Sequence, residues 1–148
     1  MLKKHTFWIK AAIALQFLTA AFHSLSFLGK PVAGNETERQ LIDLMTTYQM
    51  DMGNGFTATM HDLYTSMSAC FALLLLFGGV LNWFMLRQKA ELHIWKGLIH
   101  IELVIFGVCF LVMAFFTFLP PILCTGLIFS SLMMARFTFP LKKHIVTG

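Results

Sequence analysis

Residues 69–80 read ACFALLLLFGGV and contain no charged or hydrogen-bonding side chain other than one thiol. This stretch is the driest part of an apolar run that extends from about residue 57 to residue 86. Comparable runs cover about residues 7–28, 94–119 and 120–140. A helix needs roughly 20 apolar residues to cross about 30 Å of hydrocarbon at 1.5 Å per residue. Each run is long enough to do so.

The composition of the whole chain indicates a membrane protein. Hydrophobic residues make up 57% of the sequence and charged residues 12%, whereas soluble domains carry roughly 25% charged residues. The runs are continuously apolar and lack the alternation of barrel strands, so they are predicted to be helices. Short connections make consecutive helices antiparallel neighbours. We therefore expect an all-α polytopic membrane protein, an up-down four-transmembrane-helix bundle forming one domain over residues 1–148.

The basic residues indicate the orientation of the bundle. Nine of the 11 lysines and arginines fall on one predicted side, which the positive-inside rule makes the cytoplasmic side. Both termini are then cytoplasmic, and the first span is expected to stay as an uncleaved anchor. The clusters flank apolar runs, so nucleic acid is not an expected partner. The nine residues are Lys3, Lys4, Lys10, Arg87, Lys89, Lys96, Arg136, Lys142 and Lys143.

The first connection, about residues 29–56, is the only sizeable stretch predicted outside the lipid. Asn35 lies three residues before Glu38, an arrangement typical of a helix N-terminus. Apolar residues then recur at helical spacing, and Gly53-Asn54-Gly55 is expected to stop the helix. The sequence predicts an outer amphipathic interfacial helix over about residues 36–52 that either rests on lipid or covers a cavity. Its apolar stripe is Leu41, Leu44, Met45, Tyr48 and Met52.

Polar residues in the outer halves of the first two spans form one candidate ligand-binding site. His23 and His61 are expected at similar depths, with Asp62 able to fix an imidazole tautomer. Three alternatives stay open: hydrogen bonding between helices, a pocket for a small amphiphile such as a lipid or quinone, and axial ligation of haem b by the two histidines. No other metal site is expected. The candidate residues are His23, His61, Asp62, Thr65 and Ser68.

A second polar group is expected in the inner halves of the spans. Glu102 lies about 12 Å inside the cytoplasmic end of its span. It could be neutral, pair with Arg136, or form a hydrogen bond with Gln16 or Asn82. An acid within a membrane span is a functional candidate as well as a structural one. The group consists of Gln16, Asn82, His100, Glu102 and Arg136.

Three segments resemble an uncharacterised family of small four-span bacterial inner-membrane proteins. They are FHSLSF (residues 22–27), NETERQLIDLMTTYQMDMG (35–53) and TMHDLYTSMSACFALLLLFGGVLNWF (59–84). The resemblance covers the first two predicted spans and the outer loop, about half of the chain, and implies a bacterial inner membrane and a four-helix fold. It carries no assigned activity, cofactor or catalytic residue.

The sequence contains no nucleophile elbow, phosphate-binding loop, metalloprotease motif or dinucleotide-binding glycine pattern. This favours a protein that is not an enzyme and that binds a small amphiphile or a partner helix at the outer site. One alternative is a haem- or quinone-linked membrane redox subunit or enzyme that uses the two histidines with Glu102. Another is a structural accessory subunit of a membrane complex. Besides the lipid bilayer, the expected partners are therefore a small amphiphile or a second membrane protein.

Overall fold

The computed structural model describes residues 4–25, 27, 29 and 32–140. In these residues the fold is all-α, as predicted, with a single two-stranded antiparallel sheet. The helices are α1 (Lys4–Leu25), α2 (Glu36–Thr47), α3 (Met60–Arg87), α4 (Leu92–Phe116) and α5 (Leu119–Phe137), and the strands are β1 (Met50–Asp51) and β2 (Thr57–Ala58).

Four of these helices, α1, α3, α4 and α5, have the length and apolar composition of membrane spans. They agree with the four predicted spans to within a few residues, and the predicted end of the first span at Leu28 lies outside the described residues. Helix α5 begins with Leu119, and its prolines occupy the first turn. Proline is tolerated there because its missing N–H would have no partner in the helix.

The chain divides into two compact units. The first contains residues 1–18 and 77–148, and the second contains residues 19–76. In the first unit, the imidazole of His5 near the start of α1 lies 5.2 Å from the ring of Phe139, which follows α5. Apolar side chains of three helices form its core. They are Ile9 and Ala12 of α1, Trp95, Ile99 and Phe106 of α4, and Ile128, Leu132 and Ala135 of α5.

Helices α4 and α5 form an antiparallel pair through two matching contacts of glycine with phenylalanine. A Cβ atom at Gly126 would lie 3.0 Å from the Phe110 ring, and one at Gly107 would lie 3.1 Å from the Phe129 ring. The two rings stack with centroids 6.2 Å apart and planes 5° from parallel. Each helix therefore supplies a large ring that fits against a glycine of the other, so the backbones approach closely.

Large apolar side chains cover the outside of the spans. Phe115 and Phe116 of α4 are 80% and 83% exposed, and Phe137 of α5 is 75% exposed. Exposed apolar area on this scale is unfavourable in water but is at no disadvantage in hydrocarbon. The exposed rings therefore fit a protein that is surrounded by lipid.

In the second unit, α2 begins as predicted but ends earlier. The Asn35 side chain accepts a hydrogen bond of 2.9 Å from the Glu38 backbone N–H, and the Glu38 carboxylate accepts one from Gly34 N–H in return. The helix stops at Thr47, so the predicted extension to residue 52 is wrong. Helix α2 has no buried residue, and its apolar stripe is free to meet the membrane interface. The role as a lid stays a prediction.

Residues 50–58 form a β-hairpin, which was not predicted because the apolar residues keep a helical spacing as far as Met52. Met50 pairs with Ala58 and Asp51 with Thr57, and Gly53-Asn54-Gly55 forms the turn rather than a helix stop. All three turn residues have positive φ, from 53° to 84°, a region that glycine and asparagine enter most readily. The Asp51 carboxylate accepts a hydrogen bond from Gly53 N–H at 2.8 Å and fixes the entry to the turn.

Candidate functional sites

Three helices of the first unit meet at a buried group of polar side chains, which we call the carboxyl–amide cluster: Gln16 of α1, Asn82 of α3 and Glu102 of α4. Gln16 and Asn82 are fully buried and Glu102 is 5% exposed. The Asn82 Nδ2 atom lies 2.8 Å from both carboxyl oxygens of Glu102 and 3.3 Å from Oε1 of Gln16. The two N–H groups of this amide therefore lie within hydrogen-bond distance of three oxygens, and they connect three helices.

Two polar atoms of the cluster have no hydrogen-bond partner among the described residues. They are the donor Nε2 of Gln16 and the acceptor Oδ1 of Asn82. Gly78 permits the Gln16 amide to reach this position, since a Cβ atom there would lie 2.8 Å from Nε2. The cluster thus holds one shared carboxyl group together with one free donor and one free acceptor, all removed from the surface.

Of the alternatives for Glu102, the structure shows the hydrogen bond with Asn82. Arg136 is exposed, and the ion pairs of the described residues do not include one between Arg136 and Glu102. His100 is also exposed and lies on a different face of α4 from Glu102. Of the five inner residues predicted from the sequence, Gln16, Asn82 and Glu102 are buried. The other two, His100 and Arg136, are exposed.

The first unit also contains a groove of about 640 Å³ between the first half of α1 and the end of α3. Ile13, Ala14 and Phe17 of α1 form its apolar wall together with Trp83 of α3. Its other end carries charge, because Lys10 and Arg87 line it. The groove is open, since Lys10, Ala14, Trp83 and Arg87 are exposed, and its volume is comparable with that of small-molecule sites, roughly 300–1,000 Å³. Sequence patterns did not reveal this groove, because its lining residues come from two helices that are distant in the chain.

The outer candidate residues lie in the second unit and differ in their surroundings. His23 is half-buried, and its ring makes edge contacts with Phe71 at 5.3 Å and Phe27 at 6.0 Å between centroids. His61 and Thr65 are exposed, while Ser68 is half-buried. The residues that follow them at helical spacing along α3 are buried, namely Ala72, Leu75, Gly79 and Asn82.

Asp62 lies in the first turn of α3 and pairs with Thr59, the residue that precedes the helix. Its Oδ2 accepts hydrogen bonds from the Thr59 hydroxyl at 2.7 Å and from Thr59 N–H at 3.1 Å. The Thr59 hydroxyl oxygen accepts the Asp62 N–H at 3.1 Å in return. This reciprocal pairing satisfies backbone donors that a helix start leaves free. The carboxylate of Asp62 thus bonds Thr59, where the sequence had suggested an imidazole.

Metal-binding groups do not converge in the described residues: no three side chains of His, Cys, Asp or Glu could hold one ion together. Cys70, Cys109 and Cys124 are free thiols. A haem bound by His23 and His61 would need only two imidazoles, and that hypothesis stays a prediction.

The fold and the sites define an all-α, multi-pass membrane protein with a polar cluster buried in its bundle. Comparison of the chain with protein-family models, curated proteins and solved structures finds no match.

Proposed function

We propose that this chain is a multi-pass protein of the bacterial inner membrane, with both termini cytoplasmic, that binds a small amphiphile. A small amphiphile is also the ligand that the sequence predicts, but the site proposed for it is not the outer site. The α1/α3 groove supports it better than the outer residues His23, His61 and Asp62, because it combines an apolar wall with a charged end.

The groove is the observation that carries this proposal. An amphiphile needs apolar surface for its chain and a polar anchor for its head, and the groove offers both within one volume of about 640 Å³. It is lined near Lys10 by the half-buried Thr6 and farther along α1 by Phe17. Gln16 and Asn82 of the carboxyl–amide cluster lie on the same two helices, where one long hydrogen bond of 3.3 Å joins them.

Mass spectrometry of the gently purified protein tests the binding. We expect a small amphiphile to co-purify at close to one per chain. Ala14→Phe, which fills the groove without changing charge, should reduce the bound amount about tenfold or more, since overfilling a fitted site costs about 1–3 kcal/mol. Ala114→Phe is the matched control, because Ala114 is an exposed alanine of α4 outside the groove. Equal retention by both variants would contradict the proposed site.

Cysteine labelling in intact cells tests the orientation. In a background without Cys70, Cys109 and Cys124, Gln49→Cys should react with a membrane-impermeant maleimide, because it precedes β1 on the predicted outer side. Gln88→Cys should react only after the cells are opened, because it follows α3 on the side rich in lysine and arginine. Both positions are exposed, so a reversed pattern would show the opposite orientation.

A further inference from the structure

The charged end of the α1/α3 groove has the chemistry of an anion site. Lys10 and Arg87 both line it, and both side chains are exposed. The Thr6 hydroxyl adds a neutral donor on the same face of α1, one turn before Lys10. Two cationic residues and one hydroxyl-bearing residue thus line the same end of the groove, and none of its described lining residues is acidic.

Arg87 is held in place by an aromatic ring. Its guanidinium carbon lies 5.4 Å from the centroid of the Trp83 ring, the geometry of a cation–π contact. A guanidinium oriented in this way loses less freedom when it binds, and its planar fork matches two oxygens of a phosphate group. Trp83 also lines the apolar part of the groove, so one residue connects the two parts.

Few acids compete for these cations. The sequence ranges of the first unit contain only two acidic side chains, Glu91 and Glu102. The Glu91 carboxylate lies 3.1 Å from His93 Nδ1, and Glu102 is bonded to Asn82. Within the described part of the chain, neither Lys10 nor Arg87 forms an ion pair. Among the described residues, their positive charge therefore has no counter-ion.

The length of the groove matches one leaflet of a bilayer. From Thr6 to Phe17 the α1 axis rises about 16 Å at 1.5 Å per residue, close to half of the roughly 30 Å hydrocarbon core. The cationic end belongs to the side of the membrane that the basic residues assign to the cytoplasm. A phospholipid of the inner leaflet would place its phosphate at Arg87 and Lys10 and an acyl chain along Ile13 and Phe17.

From this geometry we infer that the amphiphile is an anionic phospholipid, whose headgroup phosphate is bound by Lys10 and Arg87. This inference rests on the proposed function and specifies its ligand. A neutral or zwitterionic lipid would place fewer net negative charges against the two cations, so the site discriminates by charge as well as by shape.

Quenching of Trp83 fluorescence by brominated lipids tests the inference at the groove. The full chain carrying Trp8→Phe and Trp95→Phe retains Trp83 as its sole tryptophan, which is 49% exposed. It is reconstituted in phosphatidylcholine vesicles with increasing fractions of brominated phosphatidylglycerol or brominated phosphatidylcholine. We expect phosphatidylglycerol to quench at much lower fractions, and Lys10→Gln with Arg87→Gln to reduce this preference about tenfold or more, because the charge-assisted bonds to the phosphate are lost.

A second double variant controls for general surface charge. Lys89→Gln with Arg136→Gln removes the same two charges from exposed positions that do not line the groove. It should retain the preference for phosphatidylglycerol. If it loses the preference as fully as the groove variant does, the effect comes from the overall field of the protein and the inference is overturned.

The remaining outcomes separate the inference from the proposed function. If the two lipids quench Trp83 equally and Ala14→Phe still reduces that quenching, the groove binds amphiphiles without charge preference. The proposed function would then stand and the inference would fall. If the two lipids quench equally and Ala14→Phe leaves the quenching unchanged, Trp83 only contacts bulk lipid. The proposed function and the inference would then both fall.

Discussion

Replacing Asn82 by leucine should destabilise the protein by about 2–3 kcal/mol. The substitution nearly conserves volume but removes the amide nitrogen that lies 2.8 Å from both Glu102 oxygens. A buried acceptor left without a partner costs about 1–3 kcal/mol, and more if it is charged. Reversible unfolding in mixed detergent micelles, followed by the loss of helical circular dichroism, measures the change in the free energy of unfolding.

Gln16→Met is the matched control for this substitution. Gln16 is as completely buried as Asn82, but its Nε2 has no partner among the described residues and its Oε1 accepts one long bond of 3.3 Å. Its replacement should therefore be close to neutral. Adding Glu102→Met to Asn82→Leu should restore part of the lost stability, because the carboxyl group then no longer needs a partner. A fully stable Asn82→Leu protein would refute the assigned role of this hydrogen bond.

The second large effect is expected at the α4–α5 contact. Gly126→Leu should cost about 3 kcal/mol, because even a Cβ atom would lie 3.0 Å from the Phe110 ring and a larger side chain would have to displace that ring. Overpacking of a fitted interface typically costs about 1–3 kcal/mol. The same unfolding measurement reports this change.

Gly97→Leu provides the comparison within α4. A Cβ atom at Gly97 meets nothing within 4 Å, and leucine is a better helix former than glycine, so stability should stay equal or rise. Truncating the opposing ring by Phe110→Ala should recover part of the loss in the Gly126→Leu protein. Equal destabilisation by the two glycine substitutions would show that glycine flexibility, rather than close packing, governs these helices.

The spans were predictable from the sequence because hydrocarbon imposes a strong local constraint. A run long enough to cross the bilayer must satisfy its backbone internally, and this makes a helix the expected form whatever its neighbours are. The proline pair in the first turn of α5 and the Asn35 cap of α2 are also local signals, and the structure contains both. By contrast, the predicted end of α2 was wrong, because Tyr48 and Met52 continue a helical spacing although they lie beyond the helix. The Gly53-Asn54-Gly55 sequence was equally a hairpin signal.

The sites were predictable only in part, because they depend on which faces of distant helices meet. Gln16, Asn82 and Glu102 could be identified as candidates from the sequence because they are polar residues in apolar runs. Such side chains are unfavourable in lipid unless they have a partner or a function. The sequence could not choose between Asn82 and Arg136 as the partner of Glu102. That choice depends on the rotation of α3 and α5 about their axes, which side-chain packing decides. The groove was missed for the same reason.

The carboxyl–amide cluster also bears on how the polypeptide enters the membrane during synthesis. Chains emerge from the ribosome in order from the N-terminus, so Gln16 and Asn82 precede Glu102. Asn82 lies on the neighbouring helix, only a short connection away from α4. When α4 reaches the translocon, the amide that will bind its carboxyl group has already been made. Glu102 can therefore partition into lipid as half of a hydrogen-bonded helical hairpin, which lowers the insertion cost that a solitary acid would impose on this segment.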